Sequence, residues 1–228
     1  ILTKQGRITF TLGEIDIIVK QRDVVGNIMQ EWIEGWLKKN GIDYSLNDNT
    51  QMPPDFYLDP DNKTEGLMEI KAFNYKGSPG FDIADFRMYE REIAQKPWML
   101  NVTYLVFGYD MAEDGTVTIK KVWQKKVWEM SRPMKSGKSK TIWPINLQIK
   151  QGTVHKMRPA KWYGKQTAFS IYDCLEDFLS AMEETMYKNK DTRDDAPDWL
   201  QKVLDNYEKH YGVRLQIPRW NDIASKYV

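Results

Sequence analysis

Apolar positions along this chain change period several times, and each change marks a predicted element. Ile8 to Leu12 alternates weakly, Ile15 to Val19 is rich in β-branched residues, and Gly13 between them predicts a hairpin. The spacing then turns helical. Ile28, Met29, Trp32, Ile33, Trp36 and Leu37 recur over Asn27 to Lys39, with Asn27 as expected N-cap and Asn40-Gly41 as the exit. Phe56-Tyr57-Leu58 reads as a short strand, Asp59-Pro60-Asp61-Asn62-Lys63 as a turn, and Gly66 to Phe73 as the return strand. On that return strand Glu69 and Lys71 have the same parity, so their side chains share a face. The turn carries Asp55 back toward them.

Further along, Ile83, Phe86 and Ile93 predict a helix from Asp82 to about Ala94, ended by Pro97. Val102 to Phe107 carries no charge and is the clearest buried strand. Asp114-Gly115 is a turn into an alternating strand over Val117 to Trp123, and Val127 to Met130 is expected to add a short one. Arg132 to Lys140 reads as an exposed loop. Ile142 to Ile149 returns to a strand pattern interrupted by Pro144, and Gly152 to Gly164 is mixed, basic and aromatic. Helices are predicted from Ser170 through Tyr187 and from Ala196 to His210. No repeat or clear linker divides the chain. A single domain over 1–228 is expected, with a core of about 24–165 and a helical C-terminal region of about 170–211.

Composition narrows the chemistry. With 228 residues and a hydrophobic fraction of 41%, one ordinary core is possible. The lone Cys174 rules out an internal disulfide framework and reads as a buried, inert thiol within a helix. Two His residues argue against a multi-histidine zinc site. No run is long and apolar enough to span a membrane. The opening Ile1-Leu2-Thr3-Lys4 is not a secretory signal, and the missing initiator Met suggests a few absent leading residues. A cytoplasmic, prokaryotic protein is expected.

The net charge of +1 hides an asymmetry. Residues 120–165 hold thirteen Lys or Arg and one acidic residue, whereas 166–211 hold eleven acidic and five basic residues. An imbalance of that length favours a polyanionic partner over a merely solvated face. Arg132, Lys135, Lys138 and Lys140 would hold phosphate from one loop. Gln148, Lys150, His155, Lys156, Arg158 and Lys161 form a second candidate DNA surface, on which Gln148 or Arg158 could reach base edges. Gly137-Lys138-Ser139 lacks the spacing of a nucleotide-binding loop.

Asp55 and Glu69 are hard oxygen donors suited to Mg2+, with the Ile70 backbone carbonyl as a further ligand. Such a site, with Lys71 to orient a water or stabilise charge, has the parts for metal-dependent phosphodiester hydrolysis.

Pro54-Asp55 followed by Glu69-Ile70-Lys71 resembles the signature of the PD-(D/E)xK nuclease superfamily, and the surrounding order of elements resembles a type II restriction endonuclease. The likeness covers roughly residues 24–107 and extends less specifically through 120–165. It implies an α/β fold, a restriction-endonuclease-like core with a mixed five-stranded central sheet flanked by helices. It also implies Mg2+-dependent cleavage of both strands of a specific, palindromic double-stranded DNA site, with Mn2+ able to substitute, by a homodimer. Asp55, Glu69 and Lys71 would be catalytic. The preceding helix would add an accessory carboxylate, Glu31 or Glu34, with Glu31 preferred because its flank position could face the sheet. Gln51 could reach a site water or DNA. Two alternatives stand beside this reading: a structure-specific repair or recombination nuclease, and a non-catalytic DNA-binding protein.

Overall fold

The chain begins with short strands, β1 (Gln5–Gly6), β2 (Thr9–Leu12) and β3 (Ile15–Ile18), followed by α1 (Val25–Lys39). Next come β4 (Ser45–Leu46), β5 (Phe56–Tyr57), β6 (Leu67–Asn74), β7 (Ala84–Asp85), α2 (Phe86–Gln95), β8 (Thr103–Met111) and β9 (Val117–Lys125). The remainder holds β10 (Met134–Lys135), β11 (Ile142–Trp143), β12 (Leu147–Lys150), β13 (Thr153–Met157), α3 (Leu175–Lys188), α4 (Ala196–Tyr211) and α5 (Trp220–Tyr227). This computed structural model describes residues 1–49, 52–136, 141–164 and 168–228. Gln51, Lys138 and Lys140, expected above to meet DNA or a site water, lie outside them.

Two compact units interleave along the chain. The first comprises residues 1–47, 55–81 and 103–125. Its six-stranded sheet has the order β1-β9-β8-β6-β5-β4 and is mixed, because β6 pairs parallel to β8 while the other neighbours are antiparallel. The five strands implied by the family likeness become six because residues 5–6 pair with β9. Strand β6 has no charge-free run, yet it is central, since β8 covers one of its edges along its length and β5 part of the other.

Helix α1 places Val25, Met29, Ile33 and Leu37 in one core with Phe56, Ile70, Phe107 and Ile119. These four helix positions follow the three-to-four spacing of an amphipathic face. The expected N-cap Asn27 lies inside the first turn instead. The helix starts at Val25 after Val24, without a side-chain cap, because burial of Val25 outweighs the capping preference of Asn27. Lys38 and Lys39 sit in the last turn, where cations oppose the helix dipole.

The second unit comprises residues 48–54, 82–102 and 126–228. Helix α2 packs on α4, and α3 packs on both α4 and α5. A three-stranded sheet, β12-β13-β7, and a two-stranded pair, β10-β11, accompany them. Several expectations shift here. Helix α2 begins at Phe86 rather than Asp82, because Asp85 caps it, its carboxylate accepting from the Arg87 and Met88 amides at 3.1 Å each. Val127 to Met130 forms a 3-10 turn over Trp128–Met130 rather than a strand. Glu129 closes it by accepting from the Lys126 amide at 2.7 Å. The predicted loop 132–140 contains β10, paired with β11. The strand predicted over Ile142 to Ile149 is two strands flanking Pro144. Helix α3 starts at Leu175, not Ser170, because the Tyr172 amide donates to Ser131 O at 3.1 Å and keeps the preceding segment extended. Cys174 is therefore the N-cap residue and half-buried. Helix α5 is not anticipated by the periodicity. It is held by buried Trp220, Ile223 and Tyr227, whose hydroxyl donates to Asp177 at 2.6 Å.

One buried charge in this unit is costly. Glu90 on α2 is 3% exposed, and burial pushes its carboxyl up to about 7, with Asp195 adding to the rise and Arg91 and Arg87 opposing it. The folded state holds this proton more tightly than the unfolded chain. Its contribution is thus complete below about pH 4.5 and lost as pH rises through about 7. Glu90→Gln is expected to leave stability unchanged near pH 4 and raise it by about 1–3 kcal/mol at pH 8, measured by denaturant unfolding.

Candidate active site

Local chemistry in the β5–β6 hairpin sets up the site. Asp59 accepts from the amides of Asp61 and Asn62 at 3.1 Å, and Asn62 Oδ1 accepts from the Thr64 amide at 3.0 Å. These side-chain turns close the loop. Gly66 has φ +62°, and a Cβ there would lie 3.1 Å from Leu58 Cβ, so only glycine suits the closing position. The resulting register pairs Tyr57 with Leu67 and Phe56 with Met68. Counting back one residue sets Asp55 beside Glu69.

Strand pairing between β5 and β6 ends there, and the Asp55 side chain takes over. Its Oδ2 accepts from the Ile70 amide at 2.7 Å. The Ile70 carbonyl projects from the same edge of the strand as its amide, toward Asp55. Parity alternates along β6, so the Ile70 side chain enters the α1 core while Glu69 and Lys71 share the opposite face. Lys71 Nζ lies 2.7 Å from Glu69 Oε1. Farther along that face, Phe73 stacks on Trp123 with ring centres 5.8 Å apart. Gly108 on β8 leaves room for Trp123 and Tyr75, which a Cβ would meet at 3.0 and 3.1 Å. Neither aromatic was singled out by the sequence pattern, because Trp123 looks like an ordinary strand residue and Tyr75 lies in a turn.

Burial dominates the electrostatics. Glu69 is 5% exposed, and its Oε2 has no hydrogen-bond partner. Desolvation raises its carboxyl to about 7. The Lys71 ammonium and the Asp55 amide pull it down, and the Asp55 charge pushes it up. Asp55 is also raised by burial, against the Ile70 amide and Lys71. Two desolvated carboxylates side by side repel, and an unsatisfied buried oxygen is a costly group. Both features suit a cation between them. Among the described residues no group of three or more His, Cys, Asp or Glu side chains could hold a metal.

The structure brings Asp55, Glu69, Ile70 and Lys71 together, and leaves the other expected participants elsewhere. Glu31, expected to face the sheet, is exposed. Glu34 accepts from Lys38 and Tyr44 at 2.7 Å each, and the Lys38 hydrogen bond, then that of Tyr44, holds it below its ordinary range. Both stand on a helix packed against the Ile70 face of β6, the face opposite Glu69 and Lys71.

In the second unit, Gln148 on β12 pairs with Lys156 on β13, which pairs with Asp85 on β7, giving one row across the sheet. Lys156 Nζ is 3.7 Å from Asp85, and Arg158 Nε is 2.8 Å from Asp82. Lys150 and Lys135 are exposed, and His155 is half-buried. Lys161 lies over the Tyr163 ring at 5.1 Å. Arg132 is half-buried, with Nη1 donating to Phe169 O at 3.3 Å, and burial lowers its pKa. These two acidic partners were not foreseen as such, since only the fold brings residues 82 and 85 to the β13 cations.

Comparison with known proteins follows the same lines. The profile of the family described as NgoBV restriction endonuclease matches residues 1–227. The type II restriction enzyme NlaIV of Neisseria lactamica is 54% identical over 228 residues, covering 100% of this chain and 91% of that protein. The type II restriction enzyme NgoBV of Neisseria gonorrhoeae is 49% identical over 151 residues, 66% of this chain and 82% of that protein. A solved structure of NlaIV restriction endonuclease superposes with a TM-score of 0.93 at 53% identity, covering 99% of this chain and 90% of that one. A profile spanning nearly every residue, together with an end-to-end relative of the same kind, shows that the chain belongs to the NgoBV restriction endonuclease family of type II restriction enzymes.

Proposed function

We propose that this protein is a Mg2+-dependent, site-specific deoxyribonuclease that cuts both strands of a palindromic double-stranded DNA site as a homodimer. The observation that carries this reading is the convergence of Asp55, Glu69 and Lys71 on one end of the β5–β6 pair, with Lys71 2.7 Å from Glu69 and Asp55 2.7 Å from the Ile70 amide. Family membership supports the reaction class, and the profile's span over 1–227 supports a single nuclease domain. The relatives' source in Neisseria supports a prokaryotic protein, and among the described residues no helix is long and apolar enough to cross a membrane.

Asp55, Glu69 and the Ile70 carbonyl would hold the metal. These are three hard oxygen donors, one with a carboxylate atom otherwise unsatisfied, and they fit Mg2+, which also keeps waters and substrate oxygens. When bound, the metal supplies charge relief at the phosphate and a more acidic water. Lys71 holds Glu69 in its rotamer and presents N–H donors where negative charge develops on the phosphate or where a water must be oriented. The buried position of Glu69 keeps bulk water from screening this pair. A two-fold pair of such sites matches a palindrome.

Arg158, together with Arg132, Lys135, Lys138, Lys140, Gln148, Lys150, His155, Lys156 and Lys161, is proposed to contact DNA. Because Asp82 partly neutralises Arg158, DNA phosphate must displace that carboxylate. Arg158→Ala is expected to weaken DNA binding by about 10-fold at low salt and to flatten its salt dependence, read by titration at several ionic strengths. The defining experiment incubates mixed-sequence plasmid DNA with Mg2+ and sequences the new termini. Discrete termini at one palindromic sequence are expected. Random or end-dependent degradation would overturn the assignment.

A further inference from the structure

One face of the β2–β3 hairpin has no partner among the described residues. The register pairs Phe10 with Ile17 and Leu12 with Ile15, so these four side chains share a face. They are 52%, 51%, 72% and 69% exposed, in the order named. The other face is mostly polar, and there Thr11 Oγ1 donates to Asp16 at 2.6 Å. This alternation is that of a ribbon with one face made for burial, and a two-stranded ribbon gains little stability alone in water. Its root is nonetheless fixed. The Val19 amide donates to Ile8 O at 2.8 Å, and Arg7 pairs with Asp114 at 2.6 Å. Ile18 sits so close to Gly115 that a Cβ there would fall 2.5 Å from it. The apolar face is thus presented from an anchored base.

The same unit carries a groove of about 440 Å³ between the N-terminal segment, α1 and β9. Its apolar walls include Ile8, Ile28, Trp32, Trp36, Val117 and Ile119, and its charged lining residues are Lys4 and Arg7, both basic. Ile28, Trp32 and Trp36 are 40%, 44% and 44% exposed. Between Ile8 and Val19 the hairpin has Glu14 and Asp16 and no Lys or Arg. An arm without Lys or Arg and with Glu14 at its tip is unsuited to DNA phosphate and suited to an apolar groove edged by Lys4. Taking roughly 200 Å² for a whole large side chain, the four hairpin and three helix residues offer roughly 700–800 Å². That is about one partner's share of a stable interface.

We infer that the apolar face of the hairpin docks into the α1 groove of a second copy of this chain, each copy giving its arm and receiving the other. This rests on the homodimer reading above and adds where the contact lies. The interface is isologous, so every substitution in it counts twice.

The test is sedimentation velocity on the full chain and on a Leu12→Asp/Ile15→Asp variant, with circular dichroism as a check of folding. A dimeric wild type and a folded variant whose dimer dissociation constant is at least about 30-fold higher are expected. In a Cys174→Ser background, mixing Leu12→Cys with Trp36→Cys protein and a short bismaleimide should give a covalent heterodimer, a readout independent of the aspartate variant. A wild-type dimer that survives Leu12→Asp/Ile15→Asp overturns this interface while leaving the homodimer intact. A wild type that is monomeric at micromolar concentration, with or without plasmid DNA, overturns both. Cross-linking only between Leu12→Cys copies would mean that hairpins meet each other and not the groove.

Discussion

Asp55→Asn is expected to lower the rate of DNA cleavage by about 1,000-fold or more while the protein stays folded and still binds DNA. The substitution is nearly isosteric, and the amide oxygen of Asn can still accept from the Ile70 amide, as Asp55 Oδ2 does at 2.7 Å. What disappears is the negative charge proposed to hold the metal beside Glu69. The expected pattern is therefore a small change in melting temperature, a binding isotherm close to wild type, and loss of metal-dependent cutting in a plasmid assay. Cleavage at the wild-type rate by a folded Asp55→Asn protein would show that this carboxylate does not serve the metal.

Glu69→Gln is expected to have an equally large effect on cleavage and a second, opposite effect on stability. Burial raises Glu69 to about 7 from an ordinary 4.5. Between those values the folded chain keeps a proton that the unfolded chain releases, so stability falls as pH rises through that window and the loss is complete above about 7. The span corresponds to about 3 kcal/mol at most. Gln keeps the side-chain shape and an oxygen for Lys71, but carries no titrating charge. Metal-free Glu69→Gln protein should therefore be more stable than wild type at pH 8 and equal to it near pH 4. Mg2+ should restore wild-type stability at pH 8 and do little for the variant. Glu90 titrates over the same range, so the comparison is cleanest in a Glu90→Gln background. Identical pH slopes with and without Glu69, by denaturant unfolding, would remove the buried charge from the account.

These predictions concern residues whose convergence could be read from the chain, because the information is local. Asp55, Glu69 and Lys71 belong to one hairpin, and strand parity plus a turn rich in Asp, Asn and Gly suffices to bring them together. Helix α1 was legible for the same reason, as a periodic run of apolar residues. Where long-range contacts decide, the pattern was silent or misleading. Two-residue strands such as β10 and β11 exist only as a pair. Helix α5 is short and depends on burial of Trp220, Ile223 and Tyr227. The start of α3 is delayed by a backbone bond to Ser131, far away in sequence. The face of β6 on which α1 rests also depends on tertiary packing, and it determines where Glu31 and Glu34 stand. The pairing of Lys156 and Arg158 with Asp85 and Asp82 likewise joins residues more than seventy positions apart.

The loop between Leu58 and Gly66 carries neither the proposed metal donors nor Lys71, yet its length would be part of the proposed reaction centre. Strand β5 stops pairing after two residues, and Asp55 occupies the next rung with a side chain instead of a backbone group. Adding or removing one residue in the loop would slide β5 by one rung. Asp55 would then lose the Ile70 amide, and the strand's side chains would exchange faces. The centre is consequently sensitive to indels at a surface position as well as to loss of the Asp59 and Asn62 side chains that close the turn. Variation in loop length among relatives is expected to be suppressed there, even where loop residues other than Asp59 and Asn62 change.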